Sequence, residues 1–265
     1  MGRIQDKFEE LKKENKKALV TFMTAGDPDH ETSQKILNSL PENGADIIEL
    51  GMPFSDPMAD GPAIQRANIR ALNSGASLKN TLQLVKSFRI NDTKTPIILM
   101  GYFNPIYNYG TERFVADAFE SGADGLIVVD IPPEEDAELN EAMRNTDMDL
   151  IRLVSPTTDT ERLDLIIGHA SGFLYYVSIA GVTGTKSADV DSVNSHIKLI
   201  REKTDLPIAV GFGIKTPDDV KTMSAIADAA VVGSAIVDTI GKIGEGSASA
   251  NDLADQVQAL AAATK

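Results

Sequence analysis

A closed (β/α)8 TIM barrel with an extra N-terminal helix is the fold this sequence predicts, on three observations. Eight short apolar, β-branched runs alternate with helix-patterned segments along the whole chain. The runs are apolar nearly throughout rather than at every second position, as in parallel strands covered on both faces. Finally, 265 residues with 42% hydrophobic content is the size of one barrel. An open doubly wound sheet is the alternative, but it usually carries G-x-G-x-x-G after its first strand, and the turn here reads AGDPDHET. No linker or change of composition divides the chain, so residues 1–265 are expected to form a single barrel domain.

Taken in order, Ile4, Phe8 and Leu11 recur among charged residues at helical spacing, predicting a short amphipathic helix that covers one end of the core. The strands predicted are Ala18–Thr24, Asp46–Leu50, Ile97–Gly101, Gly125–Val129, Leu150–Val154, Phe173–Ser178, Ile208–Gly211 and Ala229–Gly233. Between them lie helical patterns at Thr32–Leu40, Leu78–Arg89, Glu112–Ser121, Glu134–Arg144, Glu161–Gly168, Val190–Lys203 and Asp218–Ala227. Ala235–Ile240 and a terminal helix bearing Leu253, Val257 and Leu260 follow the last strand. Gly44-Ala45-Asp46, Gly122-Ala123-Asp124 and Ala227-Asp228 each lead into a strand, a repeat that fits Gly-capped helix ends at the bottom of a barrel.

Composition narrows the chemistry. There are no cysteines, which excludes disulfides and thiolate metal sites. The net charge is −14 and the one Lys-rich stretch, Lys12–Lys17, is short, so no basic stripe for nucleic acid exists. An anionic substrate would have to be held by local dipoles. The N-terminus lacks an apolar signal region and no apolar run approaches the roughly 18 residues of a membrane helix, so a cytoplasmic protein is expected.

In a barrel the reactive groups gather where strands end. That rule selects Phe22, Glu49, Met100, Tyr102, Asp130, Tyr175, Gly211–Gly213 and Gly233-Ser234. Glu49, flanked by Ile48 and Leu50, is an acid in a buried strand; it should have a raised pKa and could both give and take protons, unless loop amides simply satisfy it. Asp60 lies eleven positions on, in a loop able to fold back over the strand end. Gly181-Val182-Thr183-Gly184, Gly211-Phe212-Gly213 and Gly233-Ser234 follow strands six, seven and eight, and the last opens a helix. Glycine loops with a helix N-terminus at those places make a phosphate site. No lysine lies within a strand, and His30, His169 and His196 lack metal-ligand spacing, so neither a Schiff-base nor a metal-dependent aldolase is expected. Acid–base catalysis on a phosphorylated substrate remains.

The stretch Glu49 to Pro62, ELGMPFSDPMADGP, closely resembles the signature of the tryptophan synthase alpha chain family. The likeness runs over nearly the whole length, through FMTAGDP at Phe22, MGYFNP at Met100, Asp130-Ile131-Pro132, Gly181–Gly184, Gly211–Ile214 and Gly233-Ser234-Ala235. It implies a lyase that splits indole-3-glycerol phosphate into indole and glyceraldehyde 3-phosphate. By the same resemblance Glu49 is the principal acid–base group and Asp60 sits near the indole N–H. Phe22, Met100, Tyr102, Tyr175 and Phe212 would wall the indole ring and side chain, with Thr183, Gly184, Gly213, Gly233 and Ser234 holding the remainder and the phosphate. Core filling is the alternative for each of the apolar ones.

The resemblance also implies a partner. The segments Pro53–Met58 and Tyr102–Tyr109, rich in Met, Phe and Tyr and read as neighbouring loops, would dock a tryptophan synthase beta chain in an α2β2 heterotetramer. Pyridoxal phosphate would belong to that beta chain; this chain is expected to need no cofactor and no metal. Ile179 stands where some family members carry arginine, just before a glycine loop expected to act as a lid. The rival readings are a stand-alone indole-releasing lyase, and an inert phosphate-ligand-binding regulatory subunit; intact Glu49 and Asp60 argue against the second.

Overall fold

The computed structural model describes residues 2–177, 190–211 and 213–265. Among these residues nine parallel strands form one sheet: β1 (Ala18–Thr24), β2 (Ile47–Gly51), β3 (Ile97–Gly101), β4 (Gly125–Val128), β5 (Asp149–Leu150), β6 (Arg152–Val154), β7 (Leu174–Val177), β8 (Ile208–Gly211) and β9 (Ala229–Val232). Their order is β5-β4-β3-β2-β1-β9-β8-β7-β6. Nine appear where eight were predicted because the fifth strand breaks at Ile151. Its first half pairs with β4 and its second with β7, while the Ile151 N–H reaches Leu126 O at 2.9 Å. The two ends of the order are thus one stretch of chain, and the sheet closes into a barrel.

Around it lie α1 (Arg3–Lys13), α2 (His30–Ser39), α3 (Pro62–Asn73), α4 (Leu78–Phe88), α5 (Phe103–Tyr109), α6 (Thr111–Ser121), α7 (Ala137–Met143), α8 (Thr160–Gly168), α9 (Val190–Arg201), α10 (Pro217–Ser224), α11 (Ser234–Gly244) and α12 (Ala250–Ala262). Side chains start several of them: Asp29 accepts the Thr32 N–H and Asp159 that of Arg162, while Thr216 and Ser249 form capping boxes. Two helices were not predicted. α3 begins with proline at its first position and has a stripe of small residues, and α5 was read as a loop because of its Asn, Pro and Tyr content. Pro105 is tolerated because it lies in the first turn, where its missing N–H is no loss. The predicted helix Glu134–Arg144 instead divides into a 3-10 turn at Pro133–Glu135 and α7.

Strand alternation sorts the core into two layers. Ala18, Val20, Ile47, Ile98, Ile127, Ile151, Phe173, Tyr175, Ala209, Ala229 and Val231 fill the barrel interior. Leu19, Ile48, Leu50, Leu99, Leu126, Leu174 and Val210 face the helices. Ile4, Phe8 and Leu11 of α1 join the interior layer, with the Phe8 and Phe173 rings 5.8 Å apart edge to face, so α1 plugs the bottom as expected.

The Gly-Ala-Asp repeat has a specific job at that end. Asp46 accepts the Leu19 N–H at 2.9 Å, Asp124 that of Ile97 at 2.7 Å, and Asp228 that of Ile208 at 3.0 Å. In each case the aspartate's own N–H returns a bond to the carbonyl of the same residue. Every one of these carboxylates therefore locks a strand to its predecessor. Among the described residues no helix is long and apolar enough to cross a membrane.

Candidate active site

Glu49 owes its position to parity on β2. Ile48 and Leu50 face the helices, so Glu49 must face the barrel interior with Ile47. Its neighbours in register are Phe22 on β1 and Ile98 on β3. The side chain is completely buried, and neither carboxylate oxygen has a hydrogen-bond partner among the described residues. No loop amide among the described residues satisfies it. Burial alone pushes its pKa from 4.5 up to about 8. Tyr175, on β7, faces the same space: burial, and then the charge of Glu49, holds its hydroxyl protonated well beyond the usual range. Gly211 on β8 makes room, since any side chain there would collide with the Tyr175 ring.

Asp60 sits on the loop between β2 and α3. Burial raises its pKa to about 6, with hydrogen bonds from Tyr102 and Asn68 pulling the other way. Tyr102 is itself buried and accepts the Ala59 N–H at 2.9 Å, and its ring leans on Phe54 with centroids 5.3 Å apart. Asn68 accepts the Phe54 N–H at 3.1 Å. Phe22, Met52, Asp60, Ile64, Asn68, Met100 and Tyr102 line a cleft over the ends of β1–β3. Phe22, the register neighbour of Glu49, is one wall of it; Asp60 lines the cleft directly, whereas Glu49 lies behind that wall in the barrel interior. Gly51 keeps that wall in place, because a Cβ there would lie 2.6 Å from the Phe22 ring.

Next to this cleft is the N-terminus of α11. Gly233 occupies its cap position and packs on Phe22, and no side chain caps the helix. The Ile236 and Val237 N–H groups both bond Gly233 O at 3.0 Å, which leaves the amides of Ser234 and Ala235 as the helix-end donors without an intrahelical acceptor, the kind of end that suits an anion. Gly213, at φ 59°, has open space around it and takes the left-handed conformation that favours glycine. Thr183, Gly184 and Phe212 lie outside the described residues, as do Ile179 and the remainder of the glycine loop.

The structure adds detail to two further readings. Asp130, selected as a strand-end group, accepts the Phe103 N–H at 2.8 Å and so starts α5 from another loop. The docking segments are not two exposed loops. Met52 and Pro53 are buried, Phe54 leans on Tyr102, and Tyr102–Tyr109 is mostly α5; Met58 and Tyr107 are the large side chains that project. A groove of about 410 Å3 lined by Pro53, Phe54, Asn104, Pro105 and Tyr109 runs between the two segments.

Sequence reasoning missed Asn68 and the Asp27–Arg70 pair. Arg70 holds the fully buried Asp27 through two bonds of 2.7 and 2.8 Å, tying the loop after β1 to α3. The signal for Asn68 was present: Ile64, Ala67, Asn68 and Ala71 recur as one helical face, with an amide standing in an apolar stripe.

The comparisons with known proteins agree with this geometry. The family model described as tryptophan synthase alpha chain matches residues 8–265. A crystal structure of the tryptophan synthase alpha subunit of Legionella pneumophila strain Paris is 40% identical, covers 100% of this chain and 98% of its own, and superposes with a TM-score of 0.93. A tryptophan synthase structure from Mycobacterium tuberculosis is 32% identical, with 99% and 98% coverage and a TM-score of 0.91. With its buried Glu49 and the ELGMPFSDPMADGP loop at the mouth of the barrel, the chain belongs to the tryptophan synthase alpha chain family.

Proposed function

We propose that the whole chain, as one barrel unit, splits indole-3-glycerol phosphate into indole and glyceraldehyde 3-phosphate, with Glu49 and Asp60 in opposite protonation states. The observation that carries this is Glu49, buried without a partner. With its pKa near 8 it is mostly protonated at neutral pH, while Asp60, near 6, is mostly ionised. Glu49 gives its proton to the indole ring carbon that bears the side chain, and positive charge grows on the ring nitrogen. Asp60 stabilises that charge in a site where Phe22, Met100 and Tyr102 exclude water. The Glu49 carboxylate then takes the proton of the adjacent side-chain hydroxyl. As that oxygen becomes the aldehyde, the carbon–carbon bond breaks and its electron pair returns the ring to neutral indole. Glu49 ends protonated, ready for the next turnover.

Gly213, Gly233, Ser234 and the open end of α11 hold the phosphate in this reading, with Thr183, Gly184 and Phe212 completing the site. The steps draw on this chain's side chains and amides. A tryptophan synthase beta chain, carrying its own pyridoxal phosphate, docks on the groove between Pro53–Met58 and Tyr102–Tyr109, where Met58 and Tyr107 project, and the assembly is α2β2. The test is indole release from indole-3-glycerol phosphate by the chain alone and then with beta chain, with size-exclusion of the mixture. Release in both, rising with beta chain, is expected. No release in either condition would leave only the inert regulatory reading.

A further inference from the structure

We infer that Asn68 is a positioning residue for this lyase, fixing the loop that carries Asp60 and aiming its carboxylate into the cleft. The inference rests on the reading of Asp60 above. Asn68 is buried on the apolar stripe of α3, where an amide is costly unless bonded. Two of its bonds reach the loop that carries Asp60 and one returns to its own helix. Oδ1 accepts the Phe54 N–H at 3.1 Å, and Nδ2 donates to Ile64 O at 3.1 Å and reaches Asp60 Oδ2 at 3.5 Å. Phe54 and Asp60 are the two ends of the same loop, so one side chain pins both to α3. The helix is itself anchored two residues later, where Arg70 grips Asp27.

The contact at 3.5 Å is long for a hydrogen bond and has room to tighten when charge develops beside Asp60. The titratable group facing Asp60 is Tyr102, from the junction of β3 and α5; Tyr102 in turn feels Asp130. No lysine or arginine of the described residues acts on Asp60. Its ionised form therefore depends on two neutral donors, of which Asn68 is one.

The experiment is the pH profile of kcat/KM for indole release by the chain with its beta partner, for wild type, Asn68→Ala and Asn68→Asp. The acid limb, set by Asp60, should rise by about one pH unit in N68A, a loss of about five-fold near pH 6 that approaches about ten-fold below pH 5 and largely recovers by pH 7.5. It should rise further in N68D, which keeps the shape but places a like charge beside Asp60. N68D also keeps the test available should N68A fail to fold. An acid limb unmoved in both variants, or losses equal at every pH, would overturn the inference. Asp60→Asn separates the premises: in that background substitutions at Asn68 should add nothing to the loss. Near-normal rates in D60N would instead remove Asp60 from the reaction, whatever Asn68 does.

Discussion

At the bottom of the barrel Asp46, Asp124 and Asp228 each exchange two hydrogen bonds with the preceding strand, and Asp124 and Asp228 add arginines. At the top, among the described residues, Glu49 has no hydrogen-bond partner and Asp60 has Tyr102 and Asn68. Both rims bury carboxylates, so burial is not what distinguishes a reactive acid from a structural one. The distinction lies in whether the ionised form is matched. At Asp228, burial pushes the pKa up but the Ile208 N–H, Arg201 and Lys17 outweigh it, and the value falls below normal. Glu49 has only the burial, and rises to about 8.

Glu49→Gln presses hardest on this contrast. Indole release should fall by at least about 10³-fold, the scale on which a positioned acid–base group acts. Stability should move the other way. Because the folded pKa lies above the unfolded value of 4.5, wild type and variant differ little in acid. As pH rises from there toward 8, ionising Glu49 in the unfolded chain alone progressively favours unfolding of the wild type. E49Q should therefore be the more stable protein at pH 7.5, by a few kcal/mol, and the gain should vanish near pH 4. Chemical unfolding at the two pH values reads this. Equal stability at pH 7.5 would mean that Glu49 has a partner after all.

The opposite experiment is Asp124→Ala. It strips Arg89 of its 2.6 Å carboxylate partner and leaves the Ile97 N–H without its acceptor. Breaking a buried pair costs about 3 kcal/mol or more. The expected outcome is a large drop in urea midpoint with the pH limbs of indole release unmoved. A displaced limb would show that the two rims are electrostatically coupled. Asp60→Asn comes next: losing the charge that stabilises the ring nitrogen should slow release by about 10²-fold, measured under saturating substrate, with little change in stability because the amide can still meet Tyr102.

Much of this was legible beforehand, and the reasons differ by rim. Strands were read from apolar runs because both faces of a parallel sheet are buried, and Glu49 stood out as the exception within one of them. The Gly-Ala-Asp repeat was visible too, but its purpose was not: the partners of Asp46, Asp124 and Asp228 lie on strands that precede them by about 20 to 30 residues. Asn68 and Arg70 went unseen for a related reason. α3 presents alanines instead of large apolar residues, because it packs closely against the end of β1, and a stripe of small residues carries little periodic signal. Asp130 was legible as a strand-end acid, but its bond to the Phe103 N–H was not, because that partner lies 27 residues earlier on a segment read as a loop.

The finest test lies within the bottom rim. Asp46 and Asp228 occupy equivalent places, yet burial raises the pKa of Asp46, which has the Leu19 N–H and distant lysines, whereas Asp228 is lowered. Replacing either by asparagine preserves an oxygen for the strand N–H and removes the charge, so the two variants should differ in sign. For Asp228 the folded pKa lies below the unfolded one. Its contribution is present at neutral pH and lost as pH falls through the unfolded and then the folded value, so D228N should cost about 1 kcal/mol at pH 7 and little at pH 3. For Asp46 the cost of ionisation enters as pH rises, so D46N should be neutral or slightly stabilising at pH 7, within about 0.5 kcal/mol. Paired urea titrations at both pH values decide it. If D46N loses as much as D228N, the strand N–H alone is enough to match a buried carboxylate, and the contrast with Glu49 then rests on that single hydrogen bond rather than on the cations.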